Sequence, residues 1–483
     1  MIEDLIRDRL KKLHTYEQDA SPYPARVRRD VTLKELRTEF QKLSRKKKNL
    51  YVVGRVWSMR DQGSIIFIDI RDASGSMQLL ISKAETKTFN LIKKTLDRGD
   101  FIEAYGFPVR TKRGEKSVSV KRVRIIAKSI RPLPTTWYGL EDTEVRLRER
   151  YLDILLHPET RELFAKKIRF WDTIRSFLKE EGFFEVEMPV LESVPGGAEA
   201  EPFVTHHKAL DKDFYLRISL ELPLKKMLVG GVEKVFEIGR IFRNEGIDQE
   251  HLQDYTQMEC YAAYWDYTAM MKFTERLYKR TIKKTLGTLT TNTRGHKISW
   301  GSRWSRVDYY EVFKRKTGID LVHTTIAELK KKARSLGITV ARGYGKGRII
   351  DLIYKHSVRG TLIQPCFLID PPVEIEPLAK RRDDDPGRVE RFQIVAAGTE
   401  LGKGFSELND PIDQRKRFED QMKLREQGDV EAQRIDEDFL KALEYGMPPA
   451  GGFGMSERLF AVLLDKPVRE TVIFPLMRKK TDA

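Results

Sequence analysis

Apolar positions along the chain fall into two different periods, and the change between them marks its organisation. Between residues 49 and 130 they cluster in short runs, "LYVVGRVWSMR", "SIIFIDIRD", "SMQLLIS", "DFIEAYGFPVR" and "KSVSVKRVRIIAKSI". Gly63, "ASG" (73–75) and "KRG" (112–114) punctuate them, so they predict five β-strands. A helical segment, "AETKTFNLIKKTLDRG" (84–99), falls between the third and fourth. In residues 160–182 the apolar period is that of a helix: Phe164, Ile168, Trp171, Ile174, Phe177 and Leu178 recur on one face, and Gly182 stops the pattern. "FFEVEMPVLE" (183–192) follows as a strand interrupted by a proline. Val235, Phe236, Ile238, Ile241 and Phe242 form a further strand, bounded by Gly246, and "YTQMECYAAY" (255–264) is its return. "IAELKKKARSLG" after Thr325 predicts a helix, and the glycines at 343, 345 and 347 a turn opening another. They do not make a phosphate loop, because no Ser or Thr follows Lys346 and the GxxxxGK[ST] spacing is missing. Strands return in "RFQIVAAGTELGKGFSELND" (391–410), then an acidic helix over 411–445, then "PPAGGFGMSERLFAVLLD".

Five strands with a helix between the third and fourth is the order of an OB-fold barrel. Such barrels bind single-stranded nucleic acid by stacking bases on aromatic side chains within a basic groove. Phe67 is the candidate stacking residue, the competing assignment being barrel core; Arg55, Arg60 and Lys112 are candidate phosphate contacts. The resulting division is a helical, basic extension (1–48), the barrel (49–130), a proline-punctuated linker (131–159) and a larger domain (160–483) with a small helical insertion near 320–360.

Composition narrows the class. The 483 residues carry a net charge of +17, and an excess of that size points to a polyanionic partner. At 40% hydrophobic and 33% charged the chain is expected to be globular and soluble, with no apolar run approaching the roughly 20 residues of a spanning helix, so no membrane partner is expected. "MIEDLIRDRLKKLHTYEQ" contains Glu3 and Asp4 and resembles neither a secretory signal nor an organellar presequence. Two distant cysteines, Cys260 and Cys366, exclude a disulfide framework and a zinc ribbon and fit a reducing cytoplasm.

Polar groups gather where strands end. Arg243 and Glu245 close the 235–242 strand, His251 lies in the loop, and Glu259 and Tyr261 are on the return strand. Glu400 and Glu407 flank a glycine-rich turn, and Arg458 begins a helix after "GGFGMSE". Arginine holds phosphate or carboxylate bidentately, carboxylates can hold Mg²⁺ that bridges phosphates, and Gly451, Gly452 and Gly454 let backbone approach a flat ligand. With no Ser-His-Asp or Cys-His arrangement in view, the set suits positioning and charge stabilisation, not a protein nucleophile.

These stretches resemble class II lysyl-tRNA synthetases over nearly the full length. "FFEVEMPVL" with its helix is similar to that class's dimer-forming motif, "FRNEG" with "YTQMECYAAY" to its ATP-holding hairpin, and "GGFGMSERL" to the segment whose arginine stacks over ATP. "PGGAEAEPFVTHH" (195–207), "RPLP", "RERYLDIL" and "GFSELND" are similar to the lysine-specific subgroup. The resemblance implies an α+β chain: an OB-fold that reads the anticodon, joined to a catalytic domain built on an antiparallel sheet flanked by helices, acting as a cytoplasmic homodimer on ATP, L-lysine and tRNA(Lys) with Mg²⁺. It implies that Arg243, Glu245 and Arg458 are catalytic and that these three, with His251, Tyr255 and Glu400, bind ATP. Gly196, Glu221, Arg243 and Glu259 would hold the amino acid's α-end; Tyr261 and Glu407 would receive its ε-ammonium. Glu400 would hold metal, with Gln393 and Glu407 as further candidates, and Arg60, Phe67, Gln78 and Glu115 would read the anticodon. Alternatives in the same terms are the aspartyl or asparaginyl chemistry and a non-catalytic RNA-binding relative. The chain departs from the family pattern at "LQDY" (252–255), at Gln393 in place of a metal-binding glutamate, at Lys403 in place of asparagine, and in a third motif one residue shorter.

Overall fold

The computed structural model describes residues 2–134, 140–246, 252–429 and 431–478. The chain forms two compact units, residues 1–141 and 142–483.

The first unit contains the expected barrel. Strands Leu50–Asp61, Ile65–Arg71, Ser76–Ser82, Lys116–Ala127 and Phe101–Arg110 close in that order, the last pairing with the first. Alternation decides the faces: Ile66, Ile68 and Ile70 are buried inside, so Phe67, Asp69 and Arg71 point outward. The helix between the third and fourth strands is shorter than its sequence pattern, Phe89–Thr95 instead of 84–99. Thr86 and Thr88 give their hydroxyls to the carbonyls of Val120 and Val123, which fixes the entering segment as turns. Tyr16, Leu33, Leu36, Phe40 and Leu43, from the helices that precede the barrel, share its core.

The second unit is an eight-stranded sheet in the order Ser305–Asp308, Cys366–Ile369, Arg391–Ala396, Thr399–Ser406, Ala450–Ser456, Asp254–Ala263, Lys234–Phe242 and Phe184–Glu185. It is antiparallel except at its two edges. Helices Pro158–Glu180 and Tyr267–Leu286 cover one face, sharing a core with Phe236, Met258, Cys260, Phe392 and Phe453. The return strand alternates, so Met258, Cys260 and Ala262 enter that core while Tyr255, Gln257, Glu259 and Tyr261 face the other way. Ile168, expected on the buried stripe of its helix, is 65% exposed. "FFEVEMPVLE" is not one strand but two short ones, Phe184–Glu185 and Leu191–Glu192. Pro189 has no N–H for a ladder, and Met188 gives its own to the Glu237 carboxylate instead. The acidic stretch is two helices, Pro411–Glu426 and Glu437–Glu444, parted near Gly428 at φ +110°. Residues 309–357 supply helices Tyr309–Thr317, Ile326–Ser335 and Lys346–Ser357 around a core of their own. Gly345 caps the last of these.

Candidate active site

The second face of the sheet carries a cleft. Four strands supply its floor, and the absence of side chains at two glycines opens it. A Cβ on Gly452 would stand 2.0 Å from Glu407 Oε1 and 2.5 Å from the Tyr261 ring, and one on Gly404 would stand 2.5 Å from the Gly452 carbonyl. Both glycines are therefore required by close approach.

At one end lies a buried carboxylate cluster. Glu221 and Lys225 are one turn apart on helix Glu221–Val229, with Lys225 Nζ 2.6 Å from Glu221 Oε1. The same ammonium pairs with Glu407, which is 1% exposed, through Oε2. Oε1 of Glu407 is buried, has no hydrogen-bond partner among the described residues, and lies against Gly452. One ammonium thus faces two carboxylates. Burial pushes both carboxyls up, Glu221 to about 7 and Glu407 well above its ordinary range; Lys225 draws each back, while Glu259 raises Glu221 further and Glu221 raises Glu407. Burial alone would lower Lys225, yet the paired carboxylates raise it, so it stays charged.

Glu259 is satisfied from all sides: Ser219 Oγ at 2.8 Å and the Leu220 N–H at 3.2 Å donate to one oxygen, and the Tyr261 hydroxyl at 2.8 Å donates to the other. The Tyr261 hydroxyl is therefore committed to Glu259. Gly196, expected beside the ligand, packs against Leu222, and its neighbours Gly197, Ala198 and Glu199 line the cleft instead.

At the other end stand the arginines. Arg243 Nε donates to the Ile218 carbonyl at 3.3 Å, and its guanidinium sits 5.7 Å from the Tyr255 ring centroid. Arg243, Glu245, Tyr255 and Arg458 line a smaller pocket that continues the cleft. Arg458 Nε is buried and has no partner among the described residues, a donor left open to a ligand. His251 lies outside the described residues. Burial would raise Glu400, but Arg458, Arg391, Lys355 and Lys403 outweigh it and hold its carboxyl below the usual value.

The residues do not fit a metal ion held by the protein. A divalent cation of this kind takes several anionic or carbonyl oxygens. Gln393 Oε1 accepts the Tyr354 hydroxyl at 2.8 Å, and Glu407 Oε2 is taken by Lys225. Glu400 remains a single carboxylate among four cations. Among the described residues no group of three His, Cys, Asp or Glu side chains could hold a metal. Sequence reading also passed over Lys225, Glu376, Arg348 and Arg391. Of these, only Lys225 had a local signal, its helical spacing from Glu221.

On the barrel, Arg60 and Phe67 are register partners, with the guanidinium 6.0 Å from the ring centroid. Gln78 pairs across from Asp69 and accepts from Ser117 Oγ at 2.9 Å. Glu115 sits one residue before the Lys116–Ala127 strand, with Arg37 3.7 Å away. The four expected positions thus share neighbouring strands. Arg55 is tied inward, its Nε donating to the Gly99 carbonyl at 3.1 Å. Trp57, which sequence reading missed, carries the Arg71 guanidinium 3.8 Å from its ring centroid.

Comparison with known proteins agrees with this architecture. Residues 50–126 match the OB-fold nucleic acid binding domain. The lysine–tRNA ligase of Moorella thermoacetica is 44% identical, with 99% of each chain covered. Those of Roseiflexus sp. and Thermotoga maritima are 43% and 40% identical, with 99% of this chain covered and 99% and 97% of theirs. A cleft of glycines, arginines and buried carboxylates on an antiparallel sheet occupies residues 142–478, which match the tRNA synthetases class II (D, K and N), and to that family the chain belongs.

Proposed function

We propose that the protein joins L-lysine to tRNA(Lys) at the expense of ATP. A lysine carboxylate oxygen attacks the α-phosphorus of ATP, the bond to the β-phosphate oxygen breaks, and pyrophosphate leaves. A hydroxyl of the tRNA's terminal ribose then attacks the carbonyl of the lysyl-adenylate, and AMP leaves. No protein nucleophile is needed, so the site's work is positioning and charge stabilisation. Mg²⁺ enters as part of the ATP substrate, where it neutralises charge on the outer phosphates.

Glu407 is the observation that carries the amino acid. Its Oε1 is a buried acceptor with no partner among the described residues, at the closed end of the cleft. A buried carboxylate oxygen without a partner favours a cation, and the single Lys225 ammonium is shared between two carboxylates. One more ammonium brings the cluster to neutrality. The α-amino group falls near Glu221 and Glu259, and the carboxylate runs toward Arg243. From Gly452, beside Glu407, the strand climbs four residues to Ser456, roughly 13 Å in an extended chain. That rise leads to Arg243 and Arg458, which suit the α-phosphate, with Tyr255 and Arg458 enclosing a flat base. Glu245, beside them in the smaller pocket, completes the adenine end.

The outward ring of Phe67 with Arg60 beside it supports anticodon reading by stacking. The exposed Ile168 and Phe184, 65% and 61% accessible, support a homodimer formed through this helix and strand. Cys260 and Cys366 are free, buried thiols, which accords with a cytoplasmic protein, and among the described residues no helix is long and apolar enough to cross a membrane. The test is pyrophosphate exchange into ATP with each of the twenty amino acids in turn. Lysine alone should support it; exchange with aspartate or asparagine in its place would replace this reading.

A further inference from the structure

Three charged side chains face the cleft in the order Glu400, Lys403, Glu407. A bulge allows it. Val395 pairs with Glu400 and Ile394 with Gly402, so Leu401 is skipped and the face changes parity between Glu400 and Lys403. Lys403 thus stands between the carboxylate cluster and the arginine end. Its ammonium is anchored on Glu376 at 2.7 Å, and Glu376, 3% exposed, is also 3.4 Å from Arg391. The hydrogen bond to Glu376 uses one of its three N–H donors. Directly across the ladder from Lys403 is Gln393, whose side-chain oxygen is occupied by Tyr354.

We propose that Lys403 is the fixed cation of this cleft, its ammonium standing on Glu376 where negative charge gathers, in place of a metal ion held by the protein. The inference rests on the reading of the cleft as the site where ATP meets an amino acid. The α-phosphate and the amino-acid carboxylate are both anions and must be brought together midway between the cleft's two ends. An ammonium is a compact point charge suited to that junction. Glu376 fixes it in advance, so it need not be reorganised during the reaction. The same ammonium repels a dication, and the neutral, occupied Gln393 offers it no charge to offset that repulsion. Magnesium therefore comes and goes with the nucleotide.

Manganese, followed by the electron paramagnetic resonance signal of the free ion, tests this on the full chain. Without nucleotide, the natural protein should leave Mn²⁺ free up to millimolar concentrations. The double variant Lys403→Asn with Gln393→Glu should gain nucleotide-independent binding at least about tenfold tighter. Lys403→Met combined with Glu376→Gln removes both charges of the pair and keeps an amide oxygen at position 376 facing Arg391. That pair should slow lysine-dependent exchange about 100-fold while its melting temperature stays near that of the natural protein. Nucleotide-free Mn²⁺ binding by the natural protein would overturn the proposal. So would failure of the first variant to gain binding, or unchanged exchange in the second. The manganese measurements need neither amino acid nor tRNA, so a lack of lysine-dependent exchange in the natural protein would count against the functional reading and not against this one.

Discussion

Lys225 and Glu407 are ion-paired inside the protein, each essentially without solvent contact, and Glu221 holds the same ammonium at 2.6 Å. The amino-acid end of the cleft thus carries one uncompensated negative charge before any substrate arrives. That imbalance, rather than any single carboxylate, is what selects a cationic side chain.

Glu407→Gln removes the excess negative charge and leaves only a neutral amide in its place. Truncating one partner of a buried charge pair costs about 3–5 kcal/mol. Lysine-dependent pyrophosphate exchange should fall by two or more orders of magnitude, with the KM for ATP little changed. Exchange kinetics across lysine and ATP concentrations separate the two, and normal lysine kinetics would remove Glu407 from the site.

Lysine binding should depend on pH with a definite sign. Below its folded pKa a carboxyl is neutral and cannot hold an ammonium; the ligand's own side chain stays charged up to about pH 10. Burial raises Glu221 to about 7 and Glu407 above its ordinary range, and a bound ammonium lowers both again. Binding should therefore strengthen as pH rises from 6 to 8 and release protons as it does so. Calorimetry in buffers of different ionisation enthalpy measures the release; a heat independent of buffer would contradict the cluster's raised affinity for protons.

Gly452→Ala should be far more damaging than its one added carbon suggests. The new methyl would lie 2.0 Å from Glu407 Oε1 and 2.5 Å from the Tyr261 ring, so the acceptor must shift to admit it. Displacing the acceptor by about 1 Å corresponds to a loss on the order of 100-fold, expected in the KM for lysine rather than for ATP. Equal effects on both substrates would mean that the strand as a whole had shifted.

Phe67→Leu tests the barrel. The ring points away from the buried Ile66 and Ile68, so the fold should survive. Loss of a stacked base costs about 1–3 kcal/mol of binding. tRNA affinity, measured by filter binding, should fall accordingly, while amino-acid-dependent exchange without tRNA stays intact. Unchanged affinity would move the anticodon contact along the same outward surface, Trp57 and Arg71 being the next candidates.

Local pattern determined the elements and, with them, half of the site. A period of two in residues 255–263 commits Tyr255, Gln257, Glu259 and Tyr261 to one face as soon as Met258 and Cys260 are buried on the other, because a strand offers only two directions. The five apolar runs and their turns likewise specify a barrel, and the charge excess its kind of partner. Pattern overreached where side chains divert the backbone: Pro189 split a strand, two threonines shortened a helix, and Gly428 parted another. What only the tertiary structure decided is which charges meet. Lys225 meets Glu407, and Lys403 meets Glu376, across segments far apart in the chain; neither encounter leaves a period in the sequence. Burial then gives those encounters their strength, since a charge withdrawn from water must find an opposite charge wherever the fold brings one.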